Sequence, residues 1–370
     1  MSADAPTPPF EAAKAAFLQG LQHHHAGRFA EAEAAYRESL RLLPGRPSTL
    51  TNLAAVIVLR QPAEALGLLD QALAAEPGNA DAWFQRGEAL AVLQRLPEAL
   101  ASIERVLALQ PDAGPAWSRR GGLLKDLGRS AEAVPALRRA VELGADVEMN
   151  RYLLASLEGG VAPPAAPSDY VAALFDSYAE TFDEQLTDKL QYRTPQLLVQ
   201  GLGGQRFDSA LDLGCGTGLC GRLLRPCAGA LHGVDLSAGM LDQARRLGVY
   251  DRLEQGDVVQ HLAATPEHTH DLVIAADVFV YLGDLAAVFA QSRRVLREGG
   301  VFAFSVEAAD DAVDFALRPS SRYAQSERYV RQLAAQHGFG ITALQRETIR
   351  LDQRLPIEGL LVWLTRPRAH

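Results

Sequence analysis

Leu211-Asp212-Leu213-Gly214-Cys215-Gly216-Thr217-Gly218 is followed seventeen residues later by Asp235. A short apolar run, Ser209 to Leu213, enters a glycine loop, and a helix is expected beyond it. Three glycines at alternate positions let the backbone turn sharply and bring its N–H groups close to a ligand, with no side chain between. Asp235 ends a second apolar run, Leu231-His232-Gly233-Val234, where a carboxylate can accept two hydrogen bonds from a ribose diol. Together these residues imply a nucleoside-binding corner at the carboxyl edge of a parallel sheet. The plain alternative is that the glycines only close a strand-to-helix turn.

Two nucleosides compete for that corner. Gly216-Thr217-Gly218-Leu219-Cys220-Gly221 matches the G-x-G-x-x-G pattern of dinucleotide sites, and Asp235 lies near the offset that pattern expects. Against it stands Asp212, an acid directly before the glycines, where a dinucleotide fold usually places an apolar residue. The ensemble of Asp212, Gly214, Gly216 and Gly218, then Asp235, then Gly256-Asp257, resembles class I S-adenosylmethionine (SAM) methyltransferases. The resemblance implies SAM as cofactor and S-adenosylhomocysteine (SAH) as its product. It implies that Asp212, Gly214, Cys215, Gly216 and Gly218 cradle the methionine end and that Asp235 takes the ribose. Asp257 with Val258 then flanks the adenine, and Leu236, Met240 and Ala276 complete the expected cofactor set.

Composition bounds the rest. At 370 residues the chain has room for two or three domains, each able to bury a core. A net charge of −9 argues against broad binding to nucleic acid or an anionic membrane, both of which need clustered Lys and Arg. The three cysteines (Cys215, Cys220 and Cys227) are odd in number and lack paired metal-ligand spacing, which points to reduced thiols. His23-His24-His25 falls near a helix end, and consecutive helical residues point 100° apart, so a polar turn is expected there and no metal site. The chain shows no basic-then-apolar leader and no apolar run approaching membrane-spanning length, so a cytoplasmic protein is expected.

The front half is periodic. Ala30-Glu31-Ala32, Ala63-Glu64-Ala65, Pro97-Glu98-Ala99 and Ala131-Glu132-Ala133 recur at steps of 33, 34 and 34 residues. Pro44, Pro77 and Pro111 keep the same step, each where a helical pattern must stop. Trp83 and Trp117 stand four residues before Gly87 and Gly121, small residues suited to a close helix crossing. This resembles the tetratricopeptide (TPR) helix-turn-helix repeat. Copy one has Ala16 in the aromatic position, while Gly20, Ala32, Tyr36 and Pro44 fit the pattern. Copy two is one residue short around Arg60-Gln61-Pro62 and carries Leu53 at the small position, so a distorted turn is expected. Stacked repeats bury each other's apolar faces and need caps, a part suited to Val147–Leu157. The resemblance implies a groove for a protein, peptide or carrier-bound partner; a rigid packing or dimerisation module is the alternative.

The expected division is a disordered stretch over 1–9, a four-copy TPR array plus capping helix over 10–158, a Pro/Gly/Ala-rich linker over 159–169, and a methyltransferase domain over 170–370. Strands are expected at Ala210–Leu213, Ala230–Asp235, Arg252–Gln255, Asp271–Ala275 and Gly300–Val306, and a helix over Met240–Leu247. Two further runs, Gly340–Leu351 and Gly359–Arg366, read as a closing antiparallel hairpin, which the methyltransferase sheet has and a plain dinucleotide fold lacks. The fold class is thus an all-α TPR solenoid followed by an α/β Rossmann-like domain with a C-terminal antiparallel hairpin.

Before the sheet, Phe175, Tyr178 and Phe182 follow helical spacing. In the resembled family such a helix lies over the cofactor, which makes Tyr178 a candidate to shield the sulfonium; an apolar stripe packed on the sheet explains Phe175 and Phe182 equally well. The Leu190–Pro195 and Arg322–Tyr329 stretches are similar to bacterial methyltransferases that carry TPR repeats. The acceptor wall is expected in the loop after strand four. Asp277 there is a base or a helix cap, and Tyr281 a pocket wall or a core residue. Ala276-Asp277-Val278-Phe279 lacks the double proline of amide- and base-directed N-methyltransferases. Arg322, Tyr323 and Tyr329 are candidates to grip a carboxylate or phosphate from a lid, with a surface helix as the alternative. The expected function is methyl transfer from SAM to a small-molecule, peptide or carrier-bound acceptor. A TPR scaffold without catalysis and an NAD-dependent oxidoreductase are the competing readings.

Overall fold

The computed structural model describes residues 9–179, 182, 192–352 and 355–368. Contacts divide the chain into two units, Met1–Leu154 and Ala155–His370.

The first unit is helical. Its hairpins are α1 (Pro9–His25) with α2 (Phe29–Leu42), α3 (Pro47–Ile57) with α4 (Pro62–Ala75), α5 (Ala80–Val92) with α6 (Leu96–Leu109), and α7 (Gly114–Asp126) with α8 (Ser130–Glu142). The helix α9 (Val147–Glu158) follows, and the division between units falls within it. Proline opens five of the eight paired helices, α1, α3, α4, α6 and α7, in the first two positions, where its missing N–H costs nothing. Close crossing inside a hairpin depends on the small residue. A Cβ on Gly20 would meet Tyr36 Cδ1 at 2.5 Å, on Gly87 Ile103 Cδ1 at 2.7 Å, and on Gly121 Leu137 Cδ2 at 2.4 Å. Copy two places buried Leu53 and Leu69 at the equivalent positions. The other three turns contain a left-handed residue, Gly27, Gln94 or Gly128, whereas no residue between Ile57 and Pro62 has positive φ. The missing residue therefore changes the turn.

The second unit opens with α10 (Ser168–Tyr178) and α11 (Thr194–Gln200) and is built on one sheet. Five parallel strands come first: β1 (Phe207–Leu213), β2 (Ala228–Asp235), β3 (Arg252–Gln255), β4 (His270–Ala275) and β5 (Leu296–Ala308). They lie in the order β3-β2-β1-β4-β5. Antiparallel β9 (Leu355–Thr365) pairs with β5, and β8 (Gly340–Asp352) pairs with β9. Alternate strand residues feed two apolar clusters, one on each face. Leu211, Leu213, Phe302 and Phe304 enter one; Ala210, Val301 and Ala303 enter the other with Trp363. The strand order reverses between β1 and β4, the switch point at which open α/β sheets form a crevice beyond their carboxyl ends. Helices α12 (Leu219–Leu224), α13 (Ala238–Leu247), α14 (Val258–Ala264) and α15 (Ala286–Val295) connect these strands.

Two expectations need correction. The stretch after Arg322 is no lid: β7 (Tyr323–Gln325) pairs with β6 (Phe315–Leu317) and with the end of β5, and α16 (Glu327–Gln336) follows. Three-residue strands carry no readable periodicity, which is why they escaped notice. Nor is the whole of 159–169 a free linker. Ala166 N–H donates to Tyr281 O at 2.9 Å, Pro164 O accepts from Gly283 N–H at 2.8 Å, and Tyr323 Oη donates to Pro163 O at 2.6 Å. Proline and alanine deny this segment regular structure, yet backbone hydrogen bonds still fix it against the loop after β4.

Candidate active site

The glycine loop takes the shape that its residues allow. Gly214, Gly216 and Gly218 have φ of 60°, 55° and 96°, left-handed values that side-chain-bearing residues avoid. A Cβ on Gly214 would meet Val278 at 2.5 Å, whereas one on Gly216 would point into open space above the loop. Asp235 ties the loop to β2: its Oδ2 accepts from Gly216 N–H at 2.8 Å and its Oδ1 from Ser237 N–H at 2.9 Å. Each oxygen keeps a lone pair for a further donor. Burial pushes this carboxyl upward, opposed by those backbone N–H groups.

Asp212 lies just inside, 1% exposed, and its Oδ2 accepts from Tyr250 Oη at 2.6 Å. Burial raises its pKa to about 7, opposed by the tyrosine hydrogen bond and assisted by the nearby Asp235 charge. Tyr250 has space because the chain withholds side chains around it; a Cβ on Gly221 would strike its ring at 2.4 Å. Asp257 is the N-cap of α14, its Oδ1 accepting from Val259 and Gln260 N–H groups. Asp176 on α10 accepts from Ser237 Oγ and Gly239 N–H, fastening that helix to the start of α13.

One cavity joins this corner to the loop after β4. Asp212, Gly214, Cys215, Gly216, Asp235 and Leu236 line it on the glycine side, with Asp257, Val258 and Ala276 beside them. Asp277, Tyr281 and Arg322 also line it. Tyr281 is nearly buried, its ring 5.6 Å from that of Phe175 in a T-shaped contact. Asp277 caps no helix. It sits at φ 57°, held there by its N–H donating to Ser305 Oγ, by Ser305 Oγ donating to its Oδ1, and by Arg350 Nη1 donating to its Oδ2 at 3.0 Å. Arg350 also binds Glu307, which Arg318 holds from its other oxygen at 3.0 Å. Asp277 is therefore committed to an ion pair, which corrects the cap reading and leaves the base reading without a free carboxylate.

Comparison with known proteins fits this geometry. Residues 211–304 match the methyltransferase domain family, and residues 10–47, 57–114 and 95–148 match the tetratricopeptide repeat. The chain joins tetratricopeptide repeats to a class I methyltransferase domain. It is 35% identical over 151 residues to malonyl-[acyl-carrier protein] O-methyltransferase of Yersinia pestis, covering 40% of this chain and 55% of that protein. It is 41% identical over 106 residues to human methyltransferase-like protein 27, covering 27% of this chain and 43% of that protein. The chain spans about half the length of these curated relatives. A solved SAM-dependent methyltransferase from Mesorhizobium loti aligns at 21% identity and a TM-score of 0.38, over 45% of this chain and 95% of that one.

Not every expected residue reaches the cavity of the methyltransferase domain. Gly218 is the left-handed N-cap of α12 and faces Leu247 and Tyr250. Met240 is wholly buried, its N–H donating to Ser237 Oγ at 3.0 Å. Tyr323 is committed to Pro163, and Tyr329 Oη donates to Asp284 and accepts from Leu285 N–H, so only Arg322 of that cluster lines the cavity. The backbone of Tyr178 closes α10, but its side chain lies outside the described residues. Conversely, Arg350, Tyr192 and the Ala165–Ala166 backbone line the cavity unforeseen. Arg350 was legible only as a charge inside the first strand of the closing hairpin; Tyr192 stood within the Leu190–Pro195 stretch noted above, with no role assigned to it.

Proposed function

We propose that the second unit binds SAM in the glycine corner and transfers its methyl group to an acceptor held against the loop after β4, while the TPR array recruits the acceptor or its carrier. The carrying observation is Asp212, the glycine loop and Asp235 converging at the switch point of the sheet. The donor set suits a nucleoside bearing a cationic amino acid. Asp235 keeps lone pairs for a ribose diol, Asp212 offers a buried carboxylate for an ammonium, and the space above Gly216 is free for backbone approach. SAM, when bound, supplies an electrophilic methyl group on a sulfonium.

The residues of this chain then have mainly positional work. Asp235 and the loop N–H groups orient the donor. Tyr250 holds the Asp212 carboxylate in place. Phe175, Tyr281 and Val171 give the cavity an apolar wall that excludes water, and an aromatic face attracts a cation. The antiparallel β9–β8 edge and the acid before the glycines favour SAM over NAD. Several relatives are named malonyl-[acyl-carrier protein] O-methyltransferases, which supports an acceptor delivered on a carrier. Repeats of this kind bind proteins through stacked helices, which supports a protein partner. Ultraviolet cross-linking of methyl-labelled SAM to the full-length protein tests the donor assignment. Labelling competed by SAH and untouched by NAD is expected; labelling competed by NAD, or none at all, would overturn it.

A further inference from the structure

We infer that the methyl acceptor carries a carboxylate, seated by Arg322; this rests on the methyltransferase reading above. The cavity is lined by four acids and two arginines. Three of its acids, Asp212, Asp235 and Asp257, stand at the carboxyl ends of β1, β2 and β3. The fourth, Asp277, is neutralised by Arg350. The arginines come from other elements, Arg322 just before β7 and Arg350 from β8.

Among the described residues, Arg350 and Arg318 match Asp277 and Glu307, leaving Arg322 as surplus. Among the described residues the Arg322 guanidinium has no hydrogen bond, ion pair or ring contact, while Ala165, Val280 and Leu282 make the same wall apolar. A half-buried, unpaired cation beside apolar side chains is available to an incoming anion. Arg350 is 4% exposed and spent on Asp277 and Glu307, so it neutralises carboxylates of the fold and leaves Arg322 to meet a ligand. A carboxylate suits that group, because it accepts from a planar guanidinium through two oxygens.

Calorimetry on the full-length protein tests this in two steps. Titration with SAH comes first, and failure to bind would sink the donor reading on which this inference rests. The SAH-saturated protein is then titrated with butyrate, glutarate, benzoate and 4-phenylbutyrate, each beside its uncharged amide. At least one carboxylate should bind, its amide about tenfold more weakly or not at all. Arg322→Gln should weaken that carboxylate about tenfold, as loss of a hydrogen bond to a charged group implies, while SAH affinity stays within about twofold and Arg322→Lys restores part of the loss. Carboxylates that bind no better than amides, or no binding by any of the four, would overturn the inference. So would a matching loss of SAH affinity in Arg322→Gln, which would place that guanidinium on the methionine carboxylate.

Discussion

On the proposed reading, Asp212 and Tyr250 make cofactor affinity depend on pH. Burial raises the Asp212 pKa to about 7, so its ionised form is disfavoured in the fold. The stability penalty is absent below the unfolded value and grows as pH rises toward the folded one. Binding of the ammonium end of SAH favours the ionised form, so affinity should rise with pH. Between about pH 6 and about pH 7.5 we expect SAH to bind roughly five- to tenfold more tightly. Tyr250→Phe removes a hydrogen bond that favours the carboxylate and should move the midpoint upward; an unmoved midpoint would show that Asp212 does not meet the ammonium. Asp235→Ala should weaken SAH by roughly 1.5–3 kcal/mol, the range for hydrogen bonds to a charged group. Asp212 and Asp235 were legible because their meaning is local, each at the end of an apolar run beside a glycine turn. Tyr250 and Arg350 were not, because their partners lie 38 and 73 residues away in sequence.

At the level of elements, two adjacent glycines in α7 give opposite predictions. A Cβ on Gly121 collides with Leu137, whereas one on Gly122 meets nothing within 4 Å. Gly122→Ala should stabilise the helical unit by about 0.5–1 kcal/mol through helix propensity. Gly121→Ala gains the same propensity but overpacks the hairpin, at a cost of about 1–3 kcal/mol, so its thermal midpoint should fall below that of Gly122→Ala; the reverse order would refute the packing account. The repeat was readable because each glycine recurs with its partner helix in the same register. Strand positions in the second unit were equally readable, since apolar runs between turn residues mark buried parallel strands. Strand ends were not: β5 begins at Leu296 and β9 at Leu355, each several residues before its apolar run, because backbone pairing continues past the apolar stretch.

For the molecule as a whole, every residue lining the cavity belongs to the second unit, from Ala165 to Arg350. A fragment over 160–370 should therefore bind SAH within about threefold of the full chain. One over 170–370 should bind more weakly, because it loses the hydrogen bonds of Pro163, Pro164 and Ala166, each worth about 1 kcal/mol. Equal binding by the two fragments would show that this segment is dispensable. Its composition concealed that role, because proline and alanine report what a segment cannot form and are silent on what it touches. The two-part plan was visible throughout, since a repeat period of 33–34 residues stops where strand–helix alternation begins. The central claim is that the corner of Asp212, Gly214–Gly218 and Asp235 holds an S-adenosyl group. Calorimetric titration of the full-length protein with SAH, beside Asp235→Ala and with NAD as the control ligand, tests it most directly. Micromolar binding of SAH alone, weakened at least tenfold by the substitution, is the predicted result. Absence of SAH binding, or SAH binding that ignores the loss of Asp235, would contradict it.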